Sequence, residues 1–374
     1  MHCNVQYGFC MWVVVIFLSS IQPPPLEPVD QPISIHTIEW NGNEWLIGGD
    51  TTTQSGGRLY INPLLVKFAE NTFTDISLSL GIKGKVIDNI VWNGEYWLIT
   101  YSFQEYGGVL QYKNNEFSRI SLSGQPSLRA TTMGWNGEYW LIGSNFLGYG
   151  YLVQYNGTTI TDLGLNISAV RSLVWMGDSW LVSTTTPQWE DLLITYDGDT
   201  VVEVESPEGV GSITHSAWNG EYALLVSENR LVRFDKEHFE EIAYTGHAYG
   251  LQWNGEYWLI GSTHGALTMY DGVLFTDVTE KAGFTSTISA LGWNGKYWLI
   301  GDTAGSIKMY DGVLFTDLTP QFEDSIQSTS IKPTEIPEPA AHSESDNKVT
   351  YIIWGSAIVL FIIVFFAVLS KKRR

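Results

Sequence analysis

The chain has only two cysteines in 374 residues, Cys3 and Cys10, and both precede the repeats described below. No disulfide and no thiolate metal site can therefore form in the body of the protein. Basic residues are scarce as well: 20 Lys and Arg stand against 40 Asp and Glu, for a formal net charge of -20. A nucleic-acid surface needs a positive stripe to release counterions, so that class of partner is excluded. The seven histidines (His2, His36, His215, His238, His247, His264 and His342) show no ligand spacing, and neither a His-Glu-x-x-His sequence nor an EF-hand loop occurs. The sequence implies no metal, no cofactor and no assignable catalytic residue. A helical apolar period is also missing throughout residues 33–319.

Repetition takes the place of these features. Trp-Asn-Gly-(Glu/Lys)-Tyr-Trp-Leu-Ile, or a close variant, recurs at Trp40, Trp92, Trp135, Trp175, Trp218, Trp253 and Trp293, at intervals of 52, 43, 40, 43, 35 and 40 residues. Each head is followed by a tail, clearest at 265–278 and 305–318, where Met-Tyr-Asp-Gly-Val-Leu-Phe-Thr-Asp stands twice. A strand runs into the motif Trp, and the Asn-Gly pair predicts a type I′ hairpin turn with positive φ at both residues. The aromatic and β-branched Tyr-Trp-Leu-Ile run is a second strand. A third strand, a tight turn and the Phe-Thr-Asp strand complete a unit of four. A period near forty with this patterning predicts an all-β fold, a seven-bladed β-propeller of four-stranded antiparallel blades over residues 33–319. Of the 16 Trp, 13 occupy the two motif positions, with Ala223 replacing the second Trp of the fifth unit. They are expected to be inter-blade packing, not a ligand box.

The head motif resembles the propeller repeats of two-component-regulator sensor domains, and more loosely Kelch and WD40 blades. The resemblance covers about 33–319 and implies architecture alone. No catalytic residue of these families maps onto the chain, and the Gly-His and Trp-Asp marks of WD40 blades are missing.

Residues 350–369 are a predominantly apolar run without a charge, long enough to cross a bilayer, and the span is assigned to 350–370. Lys371, Lys372, Arg373 and Arg374 follow it, and by the positive-inside rule this tail is cytoplasmic with the propeller outside. Residues 320–349, rich in Pro, Ser, Thr and Glu, read as a disordered stalk. Residues 1–22 contain a ten-residue apolar run at 9–18 and read as a signal peptide or N-terminal hydrophobic segment. The expected localisation is a single-pass plasma-membrane protein with an extracellular, monomeric propeller. The cysteine-free ectodomain suits a prokaryotic, archaeal surface. Pro337, Glu338 and Pro339 before the span resemble the sorting tails cut by exosortase-type enzymes, but lie about ten residues too far upstream.

Two surfaces are candidates for function. Loops between the second and third strands are short in the last three units (227–229, 261–265, 301–305) and long in the first four (48–64, 100–108, 143–150, 183–191). The long ones display Tyr60, Tyr101, Phe103, Tyr106, Phe146, Tyr149 and Trp189, aromatics of the kind that make up binding surfaces on rigid scaffolds. A second variable set lies four residues before each motif Trp: His36, Asp88, Thr131, Arg171, Thr214, Tyr249 and Ser289. If the first strand is innermost, this ring faces the mouth of the central channel, either as a solvated lining or as a polar pocket containing His36, Asp88, Arg171 and Tyr249. Asn156 and Asn166 begin N-glycosylation sequons. Asp197, Gly198 and Asp199 read as turn geometry in preference to calcium ligands. The expected function is an interaction module for an extracellular protein or glycan, held to the membrane by its C-terminal helix. The alternative is a propeller glycosidase or lyase using Asp88 with His36 or Tyr249.

Overall fold

The computed structural model describes residues 32–327, apart from 56–57, 104–105, 122–128, 208–209, 229 and 245. The chain divides into two units, 1–329 and 330–374, and every described residue belongs to the first. The apolar runs at 9–18 and 350–369, the basic tail and most of the expected stalk lie outside the described residues. Among the described residues no helix is long and apolar enough to cross a membrane.

Among the described residues twenty-eight strands fall into seven consecutive sets of four, each paired in chain order and antiparallel. The first strands of the sets are Ile33–Trp40, Val86–Trp92, Ala130–Trp135, Ile167–Trp175, Ile213–Trp218, Ala248–Trp253 and Ile288–Trp293. Each packs against the next around a ring, and the last packs against the first. They are the inner strands, as the sequence implies. Both faces of each blade are buried against its neighbours, in seven apolar clusters that alternate with the blades.

The repeated Trp residues are the packing between blades. In six heads the two Trp rings lie 5.0–5.3 Å apart across the hairpin. At five interfaces the second Trp also meets the motif Tyr of the preceding blade, and Trp258 and Trp298 donate their indole N–H to Tyr222 and Tyr257. Blades 4 and 5 lose both partners together, with Ser179 in place of the Tyr and Ala223 in place of the Trp. Met176 is buried in that gap among Leu181, Ala223 and Phe234. It therefore does a packing job that no other head residue performs.

The head turn differs from the type I′ expectation. Only its glycine takes positive φ, from +87° to +100° across the seven heads. The Asn carboxamide instead accepts two backbone N–H groups, as Asn41 Oδ1 does from Asn43 and Glu44 at 2.9 and 2.8 Å. An Asx turn explains the Asn as well as a left-handed residue would. Met176 consequently carries no left-handed strain.

The expected boundary at Thr319 also shifts. After a short helix α1 (Thr279–Ala282) in blade 6, a second helix, α2 (Thr319–Gln327), follows the last strand of blade 7. Phe322 and Ile326 are buried among residues of blades 7 and 1, with Phe322 edge-on to Phe73 at 5.4 Å. Among the described residues no strand is exchanged where the ring closes. The seam is sealed by α2, by the Ser289 hydroxyl donating to the Ile35 carbonyl, and by Gly301, where a Cβ would approach Ile35 Cγ2 to 2.7 Å.

Candidate functional site

In an antiparallel blade the inner strand starts at the end of the disc where the second strand finishes. The long segments of blades 1–4 and the start of every inner strand therefore share one end.

In blades 1–3 those segments are not the loops expected from their Gly, Ser and Thr content. In blades 1 and 2 they are β-ribbons that continue the second and third strands past the ring, in blade 3 the second strand alone is extended, and in blade 4 the segment stays a loop, 186–190, between Trp180–Thr185 and Asp191–Tyr196. In blade 1 Trp45–Ser55 pairs with Arg58–Ala69 out to Ser55↔Arg58, and in blade 2 Trp97–Phe103 pairs with Tyr106–Lys113 out to Phe103↔Tyr106. Blade 3 goes further. Its second strand, Trp140–Gly150, pairs with its own neighbours and then with the inner strand of blade 4, at Asn145↔Ala169 and Gly150↔Ile167, joining two blades into one sheet.

The predicted aromatics divide accordingly. Tyr60, Tyr149 and Trp189 are exposed, at 48%, 67% and 59%. Tyr101 is not a surface group: it is 7% exposed, lies over Gly108 and belongs to the core between blades 1 and 2. Strand alternation accounts for this, because extending the ladder turns every second side chain inward. Phe103, Tyr106 and Phe146 lie on ribbon strands, and their side chains are outside the described set. Trp189 is held at φ +66°, a left-handed conformation that is unfavourable for a bulky side chain. Its N–H donates to the Thr186 carbonyl, and its ring lies against Gly148, beside Tyr149.

The channel ring has a local cause that its sequence position only hinted at. In all seven inner strands the pairing register slips at the same place. It skips His36 between Ile35 and Thr37, and likewise Asp88, Thr131, Arg171, Thr214, Tyr249 and Ser289. Each variable residue is a β-bulge, a device that re-aims a side chain out of the ladder. All seven line one cavity along the axis, and a wider space at the mouth, about 450 Å³, is bordered by His36, Asp88, Thr131, His215, Tyr249 and Ser289 with Thr287 and Thr303. Arg171 borders the axial cavity without reaching the wider mouth space.

Charge is concentrated on the side of blades 1 and 2. His36 Nε2 lies 2.8 Å from Asp50 Oδ1, so the imidazole is paired with a carboxylate from the second strand. Burial pushes the Asp88 carboxyl up to about 6, against the pull of a Ser102 hydroxyl that donates to it and of the nearby Arg129 and His36 charges. Among the described residues its Oδ2 is shut off from solvent and has no hydrogen-bond partner, nor has Arg129 Nε. On the far side His215 packs edge-on to Tyr249 at 6.4 Å, and burial lowers its pKa, favouring neutral imidazole. Deeper in the channel, desolvation pushes the half-buried Glu39 up to about 8, opposed by the backbone N–H of Trp92. Asp50, Arg129, His215 and Glu39 were not singled out in the sequence. Asp50 and Arg129 stand outside the repeated positions, whereas His215 and Glu39 occupy inner-strand positions that hold unrelated residues in other blades.

The remaining candidates are accounted for locally. Asn156 is exposed in a tail turn and its carboxamide accepts from Thr158 and Thr159. Asn166 is exposed, while the Ser168 of its sequon is buried and hydrogen-bonded to the Thr186 carbonyl. Asp197 accepts the N–H groups of Asp199 and Thr200, as the turn reading requires.

No protein family matches the sequence, and no curated protein does. Solved structures share the fold. YCF48 bound to a D1 peptide is 10% identical, with 75% of this chain and 92% of that chain covered and a TM-score of 0.59. A chain of the mitotic checkpoint complex is 10% identical, with coverage of 74% and 89% and a TM-score of 0.58. The Dos1 propeller is 14% identical, with coverage of 74% and 92% and a TM-score of 0.50. The chain is a seven-bladed β-propeller. At such identities the likeness extends to the fold alone.

Proposed function

We propose that this protein is a cell-surface interaction module, anchored by its C-terminal apolar segment, that engages an extracellular protein or glycan through the end of the disc that carries the long segments of blades 1–4. The observation that carries the reading is the placement of Tyr60 and Tyr149 on extended strands, and of Trp189 in the blade 4 loop, as exposed rings at the end of the disc where the inner strands begin. Rigid aromatic anchors contribute much of the energy of an interface, and a Trp kept in a left-handed conformation is the kind of local strain that gathers at functional positions. Two propellers of the same fold are recorded with partners, YCF48 with a peptide and the mitotic checkpoint chain within a complex.

The test is a panel of surface glycans and proteins presented to the full chain in mild detergent. Replacing Tyr60, Tyr149 and Trp189 by Ala should weaken binding at least about tenfold, a modest loss for anchors of this kind, with little change in Tm. Trp189→Asn, which suits the left-handed backbone, should weaken binding while leaving the fold slightly more stable. Binding that survives these changes but fails on substitution at residues 227–229 or 301–305 would place the surface elsewhere.

One observation favours an enzyme instead: Asp88, with a raised pKa, faces the His36 and Asp50 pair. Because Asp50 is engaged by His36, Asp88 is the one carboxyl lining the mouth among the described residues, short of the two that glycoside hydrolysis ordinarily uses. If the enzyme reading holds, Asp88→Asn abolishes turnover and the aromatic replacements raise KM only.

A further inference from the structure

We propose that the channel mouth is a receptor for a basic head group, the ammonium or guanidinium of a lysine or arginine side chain on a bound polypeptide, seated between Asp88 and Tyr249. The inference rests on the reading that this end of the disc engages a partner, and it commits that partner to a protein.

Asp88 reaches the mouth because the bulge in Val86–Trp92 turns it out of the ladder. The Ser102 hydroxyl serves its carboxylate, and Oδ2 is buried with nothing among the described residues donating to it. A buried acceptor without a donor is costly, and more so when it carries charge. The neighbouring cationic groups do not relieve it. His36 is engaged by Asp50 at 2.8 Å, and Arg129 acts on Asp88 through space without a hydrogen bond to Oδ2. Asp50 adds a second negative charge that raises the cost further. A donor that brings positive charge answers both needs. Tyr249, also bulged and 45% exposed, offers a ring at the same mouth, a surface on which a cation is stabilised by the π-face. A space of about 450 Å³ admits a side-chain head with its water but no folded element. The net charge of -20 raises the local concentration of cations around the disc.

Holding a cation requires an ionised carboxyl. With the Asp88 carboxyl at about 6, affinity should climb about tenfold per pH unit below that value and level off above it. The other charged and titratable groups are His36, Asp50 and Arg129 beside Asp88, His215 on the rim of the mouth, and Arg171 and Glu39 along the axial cavity.

The test titrates the full chain in mild detergent with butylguanidinium, butylammonium and butyrate, following the carboxyl carbon of Asp88 by NMR. One or both cations should saturate with a low-millimolar Kd, at least about tenfold tighter than butyrate, and should displace the Asp88 titration to lower pH. Asp88→Asn should weaken the cations at least about tenfold, and Tyr249→Ala, at an exposed position that leaves the fold intact, severalfold. The relative affinity of the two cations assigns the head group to arginine or lysine. A preference for butyrate, which would follow if Arg129 and Arg171 dominate, overturns the proposal, as does cation binding indifferent to both substitutions. The Tyr60, Tyr149 and Trp189 replacements should not change small-cation binding. A chain that binds the cations but loses no partner on those replacements contradicts the ribbon reading alone, and the reverse pattern contradicts the receptor alone.

Discussion

Single residues show where the repeat was bent to fit. The Tyr and Trp pair that joins most blades is missing from both sides of the junction between blades 4 and 5, and Met176 moved from turn residue to core residue to fill the space. Met176→Ala should therefore destabilise the protein by roughly 2–3 kcal/mol, in the range for emptying a buried Met site, measured as a lowered midpoint in urea. An unchanged midpoint would mean that the gap closes without the Met. The sequence displays Met176 as an oddity in a turn and Ala223 as an oddity in a strand, but nothing in it places the two side by side. The bulges were closer to legible. Ile35 and Ile38, Ile87 and Ile90, Val170 and Leu173, and Ile288 and Leu291 are apolar pairs three residues apart, and both members of each are buried. A period of two cannot bury both members of such a pair, so the spacing itself demands an extra residue between them, and that residue is the one at the channel mouth.

At the scale of elements, turn chemistry and aromatic strands recovered the inner and outer hairpins and the loop of blade 4, whereas the long segments of blades 1–3 hold extended strands where loops are expected. Gly, Ser and Thr in the stretch 48–55 suggest a loop, and tertiary pairing overrides that weak preference because each ribbon strand finds its partner directly opposite. Residues 319–327 were misread for the opposite reason. Pro320, Glu323 and Asp324 resemble the stalk in composition, yet Leu318, Phe322 and Ile326 recur four residues apart and form one helical face. Phe322→Ala should cost roughly 3–5 kcal/mol, the usual range for a fully buried Phe, and a chain ending at Leu318 should melt well below one ending at Gln327. Equal melting temperatures for the two would show that α2 is an ornament on the seam.

For the whole molecule, the titratable groups set an acid-side optimum. The Glu39 and Asp88 carboxyls are raised to about 8 and about 6 from 4.5 and 3.8, so between roughly pH 4.5 and 8 the folded state keeps protons that the unfolded chain releases, and stability falls as pH rises through that window. The turn carboxylates Asp197, Asp235, Asp271 and Asp311 are held low by backbone N–H groups, and what they contribute is lost only below their ordinary range. Each pKa unit corresponds to about 1.4 kcal/mol and each kcal/mol to roughly 2 °C in a chain of this size. After allowance for water in the channel, Tm should drop by about 5 °C or more from pH 5 to pH 8, and Glu39→Gln should remove most of that slope in a circular-dichroism melt. A flat profile in the unsubstituted chain would show that channel water solvates Glu39 fully. Blade number and order were readable because the period is nearly unbroken; how the ring closes was not, since a seam leaves no mark on a repeat. That seam carries a mechanical consequence. Each blade is stitched internally by ladders of hydrogen bonds, while the joint between first and last blades holds through side chains and one helix of nine residues. Tension applied from the C-terminal direction reaches Phe322 and Ile326 before it loads any strand, so the disc has a clasp, and a tether on that side pulls at the clasp.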